Sequence, residues 1–184
     1  RFEYTTKNEI KILKKLRDSH LKHSDNQREI ISLYIDNFFF NGNHIIVMKK
    51  YSLNIYEVYR KNRISKENIK KIVYDILRGL DFLKFNNIVH GDLKPENILF
   101  LDETTFKVVI CDFSLSIDYD CKEKKELGFN IQSMWYRAPE VLLRFEYSFE
   151  VDLWSLGCII YELCFSMPLF TSKKEIDLFT KHYC

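Results

Sequence analysis

The chain has 184 residues, 46% hydrophobic and 15% aromatic, which suits one globular domain with its own core and excludes a disordered chain or a pair of domains. Lys and Arg number 28 and Asp and Glu 26, and the net charge of +2 gives no basic field for nucleic acid or a membrane surface, so neither partner is expected. Five cysteines (Cys111, Cys121, Cys158, Cys164 and Cys184) form neither CxxC pairs nor an even framework; with no basic-then-apolar leader, they read as free thiols of an intracellular protein of the cytoplasm or nucleus.

In chain order, residues 4–17 place Ile10, Leu13 and Leu16 at three-residue intervals among Glu9, Lys11, Lys14 and Lys15, the pattern of a surface helix with one apolar stripe. The polar run from Ser19 to Glu29 reads as a loop. Ile30–Phe40 and His44–Lys49 are rich in β-branched and aromatic residues around Asn41–Gly42–Asn43, which predicts a hairpin. A short helix is expected over Asn54–Lys61. A long one follows, with Ser65 as N-cap and Ile69, Ile72, Val73, Ile76, Leu77, Leu80 and Leu83 on its apolar face. Ile98–Leu101 and Phe106–Ile110 form two short strands around Asp102–Glu103–Thr104. Asp112–Gly128 reads as a loop, with Lys122–Glu126 as a solvated charge run. From Ser148 to Cys164 a helix apolar nearly all round is predicted to be buried. The apolar run Leu153–Phe170 is long enough to suggest a membrane span, but Glu162, Ser155, Gly157 and Pro168 within it favour a core helix.

Chemistry concentrates in Ile88–Val89–His90–Gly91–Asp92–Leu93–Lys94–Pro95–Glu96–Asn97–Ile98–Leu99–Phe100. It sets an acid, a base and an amide at short fixed offsets: Asp92, Lys94 and Asn97. Converging side chains of these types could take a proton from a hydroxyl, neutralise a phosphoryl group and hold a metal ion, and phosphoryl transfer depends mostly on such positioning and charge. A lone loop aspartate would more often cap the next turn, but the company of Lys94 and Asn97 argues against that. Magnesium prefers oxygen ligands and shares its shell with phosphates, so the Asn97 amide and the carboxylate of Asp112, just past the second short strand, suit it. His90 reads as a packed support of the loop, and Pro95 stiffens it.

This stretch resembles the catalytic loop of eukaryotic protein kinases, H-x-D-L-K-P-E-N. Ser133–Met134–Trp135–Tyr136–Arg137–Ala138–Pro139–Glu140 resembles the end of a kinase activation segment, and Asp152–Leu153–Trp154–Ser155–Leu156–Gly157 the buried helix after it. Together with Ser52–Leu53–Asn54–Ile55–Tyr56 and Ile131–Gln132–Ser133, they look like the dual-specificity tyrosine-regulated kinases and the related homeodomain-interacting kinases, of the class that includes cyclin-dependent and mitogen-activated kinases. The resemblance implies an α+β kinase fold: residues 1–48 a remnant of the small lobe with a partial sheet, and 49–184 the hinge and a mainly helical large lobe. It implies a monomer using ATP and Mg²⁺ to phosphorylate serine or threonine of protein substrates, often ahead of proline, with tyrosine left open. A catalytically inactive kinase-like scaffold or binding module is the alternative.

Carried over by residue, Asp92 is the base, Lys94 contacts the transferring phosphoryl group, and Asn97 and Asp112 hold the metal. Glu9 matches the helix glutamate that pairs with the ATP-binding lysine. Met48 guards the back of the adenine pocket, the backbone of Lys49, Lys50 and Tyr51 holds adenine, Asn54 adjoins it and Leu99 forms its floor. Ser133 bonds near Asp92, and Arg137 shapes the pocket for the residue following the acceptor. Asp152 is expected to accept backbone N–H bonds from the catalytic loop.

The sequence departs from the family in four ways. The glycine-rich phosphate loop and the Val-Ala-x-Lys strand do not occur in the 184 residues and are expected upstream of Arg1. The final helices, with an arginine partner for Glu140, are expected beyond Cys184. Ser114 stands where glycine follows Asp-Phe, and a left-handed serine there would cost roughly 1–2 kcal/mol. Asn130 replaces the activating tyrosine, Met134 replaces an arginine that would hold its phosphate, and Gly91 stands where many kinases keep an arginine for a loop phosphate, so no phosphorylation switch is expected at position 130.

Overall fold

A computed structural model describes residues 2–23, 29–62, 64–121 and 130–171. The charge run Lys122–Glu126 and Cys184 lie outside the described residues.

Helix α1 spans Phe2–His23. It buries Ile10, Leu13 and Leu16 as their spacing predicts, and Ile12 as well, so the apolar stripe is wider than the three-residue pattern suggests. The helix continues from Ser19 to His23, where a loop is expected, because no glycine or proline stops it there. Strands β1 (Tyr34–Phe40) and β2 (Asn43–Met48) pair antiparallel around Asn41 and Gly42, whose φ values of 47° and 79° make the tight two-residue turn that an Asn-Gly pair favours. The first strand starts later than the composition suggests. Ile30–Ser32 instead reaches across to Ile110, with Ser32 N–H donating to its carbonyl at 2.8 Å.

Helix α2 (Ile55–Lys61) begins on a reciprocal cap: Asn54 Oδ1 accepts from Glu57 N–H, and Glu57 Oε2 accepts from Asn54 N–H. Helix α3 (Lys66–Phe85) starts at Ser65, whose Oγ accepts from Asn68 N–H, and buries Ile69, Ile72, Ile76, Leu80 and Leu83. Leu77, read as part of the same face, is largely exposed.

Beyond α3 lie β3 (Ile88–Val89), β4 (Ile98–Asp102), β5 (Lys107–Ile110) and β6 (Ile117–Asp118). The strands β4 and β5 form the predicted hairpin. The β3–β6 pairing, inside what reads as a loop, is a two-residue antiparallel match between distant segments. A one-turn helix, α4 (Pro139–Leu142), precedes α5 (Glu150–Phe165). Among the described residues the mixture of small antiparallel sheets and helices is an α+β architecture.

One core joins α1, the first hairpin, α2, α3, the β4–β5 hairpin and α5. A smaller cluster of Val89, Ile117, Ile131, Ala138, Val141 and Val151 lies under the segment leading into α4. The last helix is buried along one broad face only. Leu153 and Phe165 are exposed, which corrects the expectation of burial all round. No described helix is long and apolar enough to cross a membrane.

Candidate active site

The loop from His90 to Asn97 joins β3 to β4 and closes with a 3-10 turn over Pro95–Asn97. It hangs on α5: Asp152 accepts from the backbone N–H of His90 at 2.7 Å and of Gly91 at 3.0 Å, as its sequence position predicts. Burial pushes the Asp152 carboxyl above its usual range, and His90 and the two amides act against that push. His90 is fully buried. Its Nδ1 accepts from Asp92 N–H at 3.2 Å, so Nε2 carries the proton and donates to the Cys111 carbonyl at 3.0 Å. The ring meets Phe113 edge-on, and the His90 carbonyl accepts from Ser116 Oγ. His90 is a support, not a base.

Gly91 has φ of +75°, and a Cβ there would come within 2.6 Å of the Leu115 carbonyl oxygen. Its replacement of the arginine found in many kinases therefore matches the local backbone: no side chain fits.

These anchors aim Asp92 at its neighbours. Its Oδ2 accepts from Lys94 Nζ at 2.6 Å, and its Oδ1 accepts from Ser133 N–H at 2.9 Å and Ser133 Oγ at 2.8 Å. Lys94 Nζ also lies 3.2 Å from Ser133 Oγ. Asn97 Nδ2 donates to the Asp92 carbonyl at 2.9 Å, leaving the amide oxygen as the end suited to a cation. The Asn97 carbonyl accepts from Cys111 N–H at 2.9 Å, so the pairing of β4 with β5 delivers Asp112 beside the loop.

The turn at Asp112 corrects one expectation. The left-handed residue is Asp112, with φ of 66°, and Ser114 is not among the residues with positive φ. The strain assigned to Ser114 is absent. Its N–H and Oγ instead donate to Asp112 Oδ1, at 3.2 and 2.6 Å. Glu9 comes in from α1, accepts from Phe113 N–H and is pushed up to about 7, first by burial and then by the Asp112 charge. Burial and the same charge push the Cys111 thiol up to about 12.

The remaining predicted residues line the approach from the first hairpin. Met48 ends β2 opposite Tyr34 and packs against the core. Lys49 and Lys50 are exposed; Lys49 N–H is taken by the Leu33 carbonyl at 3.0 Å, and its Nζ pairs with Glu29 at 2.5 Å. The Tyr51 hydroxyl accepts from Leu33 N–H and donates to Glu29, and burial raises it above its usual range. Leu99 is half-buried between the fully buried Ile98 and Phe100, so it shows the opposite face of β4, as a pocket floor requires. Asn54 bridges to Leu99 through its backbone while its side chain is committed to the α2 cap. Arg137 donates to the Gln132 carbonyl from Nε at 3.2 Å and Nη2 at 2.9 Å, holding Gln132 at φ of 62°.

Sequence reading missed the fastening of α1 to the segment after β5. Asn8 Nδ2 donates to the Ser116 carbonyl at 3.0 Å, and Lys15 Nζ bridges Asp118 at 2.8 Å and Asp120 at 2.9 Å. Each pair is about a hundred residues apart, and no local pattern marks it.

Among the described residues no group of three His, Cys, Asp or Glu side chains is arranged to hold a metal by itself. Asn97 and Asp112, brought together by the strand pairing, fit instead a hard divalent ion that shares its shell with phosphate oxygens.

Comparison with known proteins gives the family. The protein kinase domain family matches residues 2–183, and the chain belongs to that family. It is similar to the probable serine/threonine-protein kinase dyrk2 of Dictyostelium discoideum, 36% identical over 179 residues, covering 95% of this chain and 19% of that protein. It is also 36% identical to the dual specificity tyrosine-phosphorylation-regulated kinase mbk-2 of Caenorhabditis elegans, over 96% of this chain and 21% of that protein. The dual specificity tyrosine-phosphorylation-regulated kinase 3 of Homo sapiens is again 36% identical, over 96% of this chain and 29% of that kinase. The chain thus spans less than a third of the length of these curated relatives. Membership of the family brings the use of ATP with a divalent metal, and proteins as substrates, in general terms.

Proposed function

We propose that the protein is a serine/threonine protein kinase that moves the terminal phosphate of ATP, with Mg²⁺, to protein hydroxyls. The observation that supports this best is the Asp92 carboxylate, steered by Lys94 and Ser133 and adjoined by Asn97 and Asp112. Asp92 accepts the proton of the acceptor hydroxyl, and Ser133 and Lys94 hold its carboxylate in place for that task. Lys94 is also the cation within reach of the transferring group. Asn97 and Asp112 would hold the metal through oxygen, and Mg²⁺ when bound neutralises charge on the phosphates. Met48, Leu99 and the backbone at 49–51 would receive the adenine. The free thiols of Cys111, Cys121, Cys158 and Cys164 support a reducing intracellular setting.

A radiolabel transfer assay on the full-length protein tests this. Asp92→Asn should lower transfer about 10²-fold or more, and equal label in both proteins overturns the reading. The scaffold alternative draws on Asp112, whose Oδ1 is already held by Ser114. It would be favoured by the absence of any thermal shift with Mg²⁺ and ATP.

A further inference from the structure

The four cysteines among the described residues are thiols, and one of them has a reactive neighbour. Burial pushes the Cys111 and Cys158 thiols up to about 12, which keeps them protonated and inert. Cys121 is different. It is half-buried three residues past Asp118 of β6, with its sulfur between an acid and an amine. On one side the thiol donates to Asp118 Oδ2 at 3.3 Å, and on the other Lys11 Nζ donates to Sγ at 2.9 Å. Lys11 and Lys15 stand one turn apart on α1, so both reach the strip from 118 to 121. Lys15 takes Asp118 Oδ1 and Asp120 Oδ2, which leaves Asp118 Oδ2 for the thiol. The Cys121 N–H donates to the Asp118 carbonyl at 3.1 Å and fixes the sulfur over the carboxylate. A base for the thiol proton and an amine at attacking distance from the sulfur therefore converge from segments 110 positions apart.

We propose that Lys11 and Cys121 form a peroxide-driven covalent latch: hydrogen peroxide oxidises the thiol to a sulfenic acid, and the Lys11 amine captures it as a sulfenamide. In the first step Asp118 takes the thiol proton and the thiolate attacks peroxide. An S–O bond forms as the O–O bond breaks, and the departing hydroxide leaves as water with that proton. Sulfur is oxidised by two electrons and the peroxide is reduced. In the second step Lys11, having released its ammonium proton to solvent, attacks the sulfur. The S–N bond forms, the S–O bond breaks, and the hydroxide leaves as water with a proton from the nitrogen. Thiol, amine and one peroxide go in; sulfenamide and two waters come out. A small-molecule thiol reopens the latch by attacking the sulfur and releasing the amine. The bond would join α1 covalently to the segment after β5, which the lysine pairs otherwise hold through screened charges. It stands apart from the kinase reading of the Asp92 site.

The test treats the full-length protein with hydrogen peroxide, digests it and maps the peptides by mass spectrometry. A linked pair joining residue 11 to residue 121 should appear, lighter than the sum of its two peptides by two hydrogens, and dithiothreitol should remove it. Lys11→Arg keeps the positive charge and a hydrogen-bond donor but has no primary amine. It should abolish the link and leave the oxidised Cys121 open to dimedone, and as an exposed helix former it leaves folding intact. Wild-type protein oxidised in urea should give about tenfold less of the link or lower, because only the fold brings the two groups together. The oxidised wild type should melt about 5 °C or more above Lys11→Arg treated in the same way, since the link closes a long loop of chain. Absence of the link, a link as abundant in urea, wild-type Cys121 labelled by dimedone as fully as in Lys11→Arg, or equal melting temperatures each overturns the latch.

Discussion

The catalytic loop and the segment after β5 meet at one site, but only the second also leans on α1. The loop is held from inside. Asp152 carries its first two amides, Gln132 N–H takes the Gly91 carbonyl at 2.6 Å, and Ser116 Oγ takes that of His90, all among buried groups. The segment from Asp112 to Cys121 shares that inner hold through Ser116, buried Phe113 and the pairing of β6 with β3, and adds an outer one from α1, through Asn8 to Ser116 and Lys15 to Asp118 and Asp120. Buried hydrogen bonds to a charge form with the core and resist salt, whereas lysine pairs near the surface are individually weak and screened. The catalytic loop is therefore fixed by folding itself, while the far end of the next segment, Ser116 to Asp120, depends also on where α1 lies.

The largest effect should come from cutting the inner fastening. Asp152→Ala leaves two buried N–H groups unmatched and should cost about 3–5 kcal/mol in urea unfolding. A loss under about 1 kcal/mol would mean that the loop does not hang on α5. Next, Gly91→Ala should cost about 2 kcal/mol, from the left-handed φ and the approach to Leu115. Unaltered stability there would show that the turn at Leu115 moves freely. On the outer side, Lys15→Ala should cost no more than about 1 kcal/mol, and less at high salt, because Asp118 is buried but the lysine is partly exposed. A salt-independent loss would erase the contrast.

A pH series sharpens the comparison further. Glu9 has its folded-state value raised from 4.5 to about 7, so the folded chain binds the extra proton between those limits. Its contribution to stability is present below about 4.5 and fades as pH rises through 7. Melting temperature should accordingly fall between pH 4.5 and 7 more in the wild type than in Glu9→Gln. Parallel curves would remove Glu9 from the account. The smallest effect is expected at Ser114, where glycine would relieve no backbone strain. Ser114→Gly should change Mg²⁺–ATP affinity by less than about threefold, and a tenfold change would refute this.

The inner fastening was largely legible in the sequence, and the outer one was not. Asp152, His90, Asp92, Ser133 and Arg137 all sit where motif spacing puts them, because loop geometry of this kind is encoded by short fixed offsets. The first hairpin and α3 were equally plain, one from Asn-Gly chemistry and the other from its 3.6-residue stripe. The contacts from α1 to residues 116–121 and the two-residue pairing of β3 with β6 join remote segments too short to carry a period. At Ser114, family pattern suggested a left-handed backbone, but the chain places that conformation two residues earlier, where aspartate tolerates it better. Asn54 and Glu57 also spell a capping box in the sequence, and the fold uses it.

The cramped backbone at position 91 also limits what a substitution there could achieve. Recovering the basic residue that many kinases carry there would take more than a codon change, since the guanidinium stem would have to displace the peptide oxygen of residue 115 before it could serve any loop phosphate. Two remote segments would need to change together. Phosphate-dependent control through a side chain at position 91 is closed to this backbone as it stands.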